Sequence, residues 1–162
     1  MDPTHRAPVE VKAGVITVSS TRTEATDSSG ELIRGRFVTA GHQVTYTAIV
    51  PDSVLAIRRA AIEALESANC VVLSGGTGLT HDDCTIEAIA PLYEKTIDGF
   101  GEVFRTRSLD EIGTAAMLSR ASAGLVSGAA VFCIPGSTGA ARLALDQLII
   151  PEIGHILTHA NR

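Results

Sequence analysis

The sequence predicts an α/β domain of three layers, with a mainly parallel sheet flanked on both faces by helices. Two observations carry that expectation. Short β-rich apolar runs alternate along the chain with apolar residues at helical spacing, the order that right-handed crossovers between parallel strands require. Polar turns, each with glycine, then follow three of these runs, where a parallel sheet presents the carboxyl ends of its strands and its ligand sites.

Residues 1–12 are expected to form a flexible leader, since Met1 to Val9 carries two prolines and no periodicity. That leaves one domain over residues 13–162. Ala13 to Val18 (AGVITV) is a compact apolar strand leading into the polar segment Ser19 to Gly30. Leu32, Ile33, Phe37 and Val38 recur at helical spacing until Gly41. Val44 to Val50 alternates and is rich in β-branched residues, which marks a second strand. Asp52 or Ser53 then caps a helix with apolar residues on one face from Val54 to Leu65. Cys70 to Leu73 is a buried strand, Ile86 to Leu92 a helix, and Ala129 to Ile134 another apolar strand. A last amphipathic helix runs through Leu143, Leu145, Leu148, Ile149 and Ile153, and Pro151 kinks or restarts it.

The 162 residues fit one domain of ordinary size. Hydrophobic residues make up 45% of them, and with no Trp, four Phe and two Tyr the core must be aliphatic. A net charge of −5 excludes a nucleic-acid surface, which needs concentrated positive charge. An anionic ligand therefore has to be held by local backbone donors or a metal, not by the overall field. Cys70, Cys84 and Cys133 lack the spacing of a metal site. Cys70 and Cys133 read as small buried hydrophobes, and Cys84 as a packing residue beside a candidate site. No apolar run reaches the roughly 20 residues of a membrane span. No basic region followed by an apolar stretch opens the chain, so a cytoplasmic protein without signal peptide is expected.

The sharpest turn is Ser74-Gly75-Gly76-Thr77-Gly78, which continues through Thr80, Asp82, Asp83, Cys84 and Thr85 to Glu87. Consecutive amides on residues without Cβ atoms can form a nest for an anion. Asp83 then stands near a helix start, placed to support a divalent ion while Thr85 caps. A glycine turn with a capping acid fits the pattern equally well. The segment is neither the phosphate loop of the common nucleotide hydrolases nor a dinucleotide fingerprint. Pro135-Gly136-Ser137-Thr138-Gly139 again joins a strand to a helix, and suits either a phosphate or an ordinary cap by Ser137 or Thr138. The third turn is Thr26-Asp27-Ser28-Ser29-Gly30, where Asp27 or Ser28 caps the next helix. His42, His81 and His155 are scattered and define no catalytic histidine. Of the arginines, Arg105 and Arg107 read as solvent-exposed or subunit contacts, and Arg120 as within reach of an acidic ligand.

Together these segments resemble the MoaB/Mog family of molybdenum cofactor biosynthesis proteins. Its Rossmann-like, molybdopterin-binding fold also forms a domain of gephyrin and of plant Cnx-type proteins. The resemblance runs from about Gly14 to His155. Beyond the turns already named it includes Val50-Pro51-Asp52, Gly99-Phe100-Gly101-Glu102 with Phe104-Arg105, and Leu118-Ser119-Arg120-Ala121. Gly99 to Arg105, with Glu111-Ile112-Gly113-Thr114, is closer to the MoaB branch than to Mog proper. Ile86 stands where many Mog-like members have proline.

The resemblance implies a molybdopterin site built from Asp27, Ser29, Gly30, Ser74, Gly75, Gly76, Thr77, Gly78, Ser119, Pro135, Gly136 and Ser137. It also implies adenylyl transfer from Mg-ATP to molybdopterin with release of pyrophosphate. Asp52 and Asp83 would be the catalytic acids and the Mg2+ ligands. The terminal phosphate of molybdopterin would attack, so no covalent enzyme intermediate is needed and alignment with electrostatic stabilisation carries the rate. A homotrimer or a dimer of trimers is implied too, with the apolar tail through Ile149, Ile150, Ile153 and Ile156 as spare surface. A downstream molybdenum-insertion protein is the implied partner. Two other functions fit the same resemblance: a catalytically silent molybdopterin carrier, and an oligomeric scaffold.

Overall fold

The computed structural model describes residues 9–162. Strand β1 (Lys12–Val18) is followed by helix α1 (Ser28–Thr39), strand β2 (Gln43–Val50), helix α2 (Val54–Ala64) and strand β3 (Cys70–Ser74). Helix α3 (Thr85–Ile89) runs into a 3₁₀ turn at Ala90–Leu92 and the short strand β4 (Lys95–Thr96). Helix α4 (Asp98–Ile112), a 3₁₀ segment (Gly113–Leu118) and strands β5 (Ser122–Val126) and β6 (Ala129–Ile134) follow. The chain then winds through α5 (Thr138–Leu143), a π-helical segment (Ala144–Ile149) and α6 (Ile150–Ala160). Among the described residues the strands form one sheet in the order β2-β1-β3-β6-β5-β4.

β1 pairs in parallel with both β2 and β3, and β3 in parallel with β6. These strands are buried on both faces, so alternate side chains enter two different cores. Val15, Val72 and Phe132 pack with α1, α4 and the C-terminal helices. Ile16, Val71, Leu73 and Val131 pack on the other side with α2 and α3. The expected three layers are therefore present, and so are the strands read at residues 13–18, 44–50, 70–73 and 129–134. No helix among the described residues is long and apolar enough to cross a membrane.

The structure differs from expectation in several places. Of the leader placed at residues 1–12, residues 1–8 lie outside the described residues. In the remainder, Val11 is buried and the Glu10 carbonyl accepts from Asn69 Nδ2 at 2.8 Å, so packing draws the domain boundary earlier. Residues 93–128 hold two strands and the 15-residue helix α4, although no element was read there. Gly99 and Gly101 occupy the first turn of α4, no side chain caps it, and Gly124 interrupts β5, so the local signals are weak. β5 is moreover antiparallel to both β6 and β4. Pro151 restarts the last helix through a π-wound stretch: it lacks the N–H that would continue regular bonding, and the preceding turns reach one residue further.

The topology leaves one crevice. From β1 the chain goes outward to β2 on one side and, through α2, to β3 on the other, so the loops leaving β1 and β3 part company there. Such a switch point opens at the carboxyl ends of the strands.

Candidate functional site

The loops that leave β1, β3 and β6 meet around a cleft of about 310 Å³. Its floor is hydroxylic, with Thr17 one residue before the end of β1, Ser74 closing β3 and Ser29 in the first turn of α1, all three buried. Gly75 and Gly76 form one wall, Gly136 and Ser137 the next, and Ser19 and Arg22 the third. The two glycine turns lie side by side, because the Gly75 N–H donates to Ile134 O, the last carbonyl of β6, at 2.9 Å.

Glycine is required in this wall for two reasons. Gly75 and Gly76 have φ of +110° and +70°. A Cβ on Gly75 would stand 2.3 Å from the Val18 carbonyl oxygen, and one on Gly76 2.3 Å from Thr85 Oγ1. Thr85 does not cap α3 as expected, since Cys84 occupies the cap position and makes no side-chain bond there. The Thr85 hydroxyl instead donates to the Gly75 carbonyl at 2.7 Å, and its N–H donates to the Gly76 carbonyl at 3.0 Å. Both carbonyls are thus engaged by the first residue of α3.

Asp27 stands behind the floor. It caps α1 by accepting from the Gly30 N–H at 3.0 Å, while its other oxygen accepts from Thr17 Oγ1 at 2.7 Å. At 2% exposure it positions the cleft's hydroxyls but does not line the cleft. Ser137 caps α5 with a bond from Ala140 N at 3.1 Å. It also borders a second cavity of about 90 Å³, shared with Ser119, Pro135, Phe104 and Ile112. The expected site residues therefore divide. Ser29, Ser74, Gly75, Gly76, Gly136 and Ser137 share the cleft, Ser119 and Pro135 adjoin it, and Asp27 and Gly30 support it.

Thr77 and Gly78 carry the chain from the cleft toward Asp83. Arg120 clamps that arm: its N–H donates to Thr77 O at 2.9 Å, its Nε to Gly78 O at 3.0 Å and its Nη2 to Asp83 O at 3.2 Å. The same guanidinium forms a two-pronged pair with Glu87, at 2.6 and 2.9 Å. Hydrogen bonding from Arg120 holds the Glu87 carboxyl below its ordinary range. Arg120 is accordingly committed within the protein. Arg105 is likewise taken by the carbonyls of Ser119 and Ala121, and Arg107 by Gln147.

Asp52 does not cap α2; Ser53 does, accepting from Ala56 N at 3.2 Å. Asp52 Oδ2 accepts from Ser20 Oγ at 2.7 Å, which ties the end of β2 to the loop leaving β1. Asp83 Oδ2 accepts from both the N–H and the hydroxyl of Thr80, at 3.0 and 2.8 Å. Cys84 lies in the field of both acids. Burial first, then the charges of Asp52, Glu87, Asp82 and Asp83, push its thiol pKa up. Neither Asp52 nor Asp83 has a bond to Oδ1 among the described residues, where no group of three or more acidic, His or Cys side chains is arranged as a metal cage.

Arg22 is the functional candidate that reading the sequence missed. It sits in the polar run after β1, where only its position next to a strand end distinguished it.

The family model described as "Probable molybdopterin binding domain" matches residues 14–155. The chain is 47% identical over 160 residues to molybdenum cofactor biosynthesis protein B of Bacillus cereus, covering 97% of this chain and 95% of that protein. A solved structure of a molybdenum cofactor biosynthesis protein B superposes with a TM-score of 0.92 at 47% identity, over 96% of this chain and 99% of that one. The tungsten cofactor synthesizing protein MoaB from Pyrococcus furiosus superposes at 0.88 with 42% identity, over 96% and 100%.

Proposed function

Because this chain belongs to the molybdopterin-binding MoaB family of molybdenum cofactor biosynthesis, we propose that it adenylylates molybdopterin with Mg-ATP. The observation that carries the proposal is the convergence of three hydroxyl- and glycine-bearing loops on one cleft, with Asp83 on the segment that continues from the glycine turn and Asp52, just past β2, bonded to Ser20 of the loop leaving β1. An oxygen of the pterin's terminal phosphate attacks the α-phosphorus of ATP. The bond from that phosphorus to the bridging oxygen breaks, pyrophosphate leaves with the electron pair, and a pterin joined to AMP remains. Magnesium, when bound by Asp52 and Asp83, supplies neutralisation of the triphosphate charge. The chain's own part would be orientation, with the backbone of Gly76 and Gly136 and the hydroxyls of Ser29, Ser74 and Ser137 lining the cleft that takes the transferring oxygens, while the Gly75 N–H is spent on Ile134 O.

The same reading includes a cytoplasmic setting, hand-over of the product to a molybdenum-insertion protein, and assembly as a trimer or dimer of trimers. The tail expected to offer the surface does not, because Ile149 and Ile153 are buried in the protein's own core with Ile150 and Ile156 packed against it. Assembly is supported instead by apolar side chains left at the surface, Val103, Leu109, Ile112, Met117 and Leu118. Sedimentation at micromolar concentration tests it, and a stable monomer would count against it. The catalytic proposal is tested by incubating the protein with molybdopterin, ATP and magnesium and assaying adenylylated pterin and pyrophosphate. A protein that binds molybdopterin yet forms neither product is a carrier. That reading draws on Asp52 and Asp83 each having one oxygen already bonded within the protein.

A further inference from the structure

We propose that Arg22 is the phosphoryl-recognition residue of the cleft, an assignment that rests on reading this cleft as the substrate site. Arg22 is the one charged side chain among the described residues that line it. The chain carries a net charge of −5, so an anion entering here gains nothing from the overall field and depends on a local cation.

The other arginines around the site are already engaged. Arg34 faces Asp27 at 3.8 Å, Arg120 pairs with Glu87, and Arg105 holds two backbone carbonyls. No carboxylate pairs with Arg22 among the described residues. Its Nη1 donates to Ser29 Oγ at 3.3 Å, which lays the half-buried guanidinium along the cleft wall. Its backbone N–H donates to Ser19 Oγ at 3.1 Å, which fixes the loop from which it projects. No other side-chain donor of Arg22 meets a protein acceptor among the described residues.

The remaining donors of this planar fork, in a cleft also lined by Gly76, Gly136, Ser74 and Ser137, are complementary to a phosphate oxyanion. Two sources carry that chemistry, the terminal phosphate of molybdopterin and the triphosphate of ATP. The group recognised is the phosphoryl group in either case.

The test is calorimetric titration of wild type, Arg22→Gln and Arg22→Lys with four ligands: molybdopterin, its dephosphorylated form, ATP-Mg and adenosine. Arg22→Gln is expected to weaken one phosphorylated ligand roughly ten- to hundredfold and to leave its unphosphorylated counterpart unchanged. Arg22→Lys, which keeps the charge but not the fork, should fall between. A loss confined to molybdopterin assigns Arg22 to the pterin phosphate, and a loss confined to ATP assigns it to the triphosphate. Unchanged affinity for both phosphorylated ligands overturns the proposal, as does an equal loss with and without phosphate. If Arg22→Gln melts early, the Arg22→Lys comparison decides by the same criteria. Arg22-dependent phosphate binding in a wild type that transfers no adenylyl group would refute the proposed activity alone. Adenylyl transfer with binding indifferent to Arg22 would refute only this inference.

Discussion

Asp83→Asn removes one negative charge beside the glycine turn while keeping a side-chain oxygen for Thr80. In the native protein Oδ2 takes two bonds, from Thr80 N at 3.0 Å and Thr80 Oγ1 at 2.8 Å. An asparagine oxygen can accept both, so the loop survives and only the charge-assisted part of each bond is lost. For bonds exposed to solvent, as both of these are, that difference is at most about 1 kcal/mol, a melting shift of no more than about 2–4 °C in a domain of this size. The Arg120 clamp on the backbone of Gly78 and Asp83 is untouched by the change. Catalysis should respond far more strongly. A carboxylate that holds magnesium on the triphosphate acts in the transition state, and losing one such interaction costs about 3–4 kcal/mol, roughly a hundred- to thousandfold in rate. The assay follows adenylylated pterin under saturating ATP, with molybdopterin affinity and thermal melting measured on the same preparation. Turnover equal to wild type, with a folded variant, would remove Asp83 from the catalytic apparatus. A proportionate fall in affinity and stability would instead make it a structural loop residue.

Asp52→Asn should lower turnover in the same direction with little change in melting, whereas Ser53→Ala should lose about 1 kcal/mol of stability, because Ser53 is the residue that caps α2; a reversed pattern would put the cap back on Asp52. Thr85→Val keeps the shape of a buried side chain but deletes the 2.7 Å bond to Gly75 O. A destabilisation of about 1–3 kcal/mol is expected in denaturant titrations, with weakened ligand binding as the glycine wall relaxes, and an unchanged midpoint would rule out this role for the hydroxyl. Glu87, depressed by Arg120, contributes stability that is present above its ordinary value of 4.5 and is lost as pH falls through its lower folded-state value. The melting difference between wild type and Glu87→Gln should therefore be present at neutral pH and vanish in strong acid, its size kept small by the pair's exposure to solvent. A difference that grew on acidification would contradict the assignment.

Much of the architecture was legible because its signals are local. AGVITV, CVVL and AAVFCI are apolar without interruption, as strands buried on both faces must be, and each is followed by a turn whose residues betray it. The glycine turn at Gly75 needs no partner to be recognised, since a positive φ at two consecutive residues leaves few alternatives to glycine. The ordered motifs spread from Gly14 to His155 likewise pointed to the family by sequence alone, and the match over residues 14–155 agrees.

Tertiary structure decided what depends on partners far along the chain. Asp27 and Asp52 looked alike as potential caps. One is buried by Thr17 and Gly30, and the other is held by Ser20 across a sequence distance of 32 residues. Arg120, read as within reach of an acidic ligand, is instead clamped to Glu87, while Arg22, which the sequence did not single out, stands beside the cleft with donors unused. The stretch from Tyr93 to Gly128 has too little periodicity to declare its helix and strands, which take their form from packing against β6 and the α4 side of the core. Residue type determines what a side chain can donate or accept. Which of those capacities is satisfied inside the protein, and which is left facing a ligand, is settled only when distant segments are brought to hydrogen-bonding range.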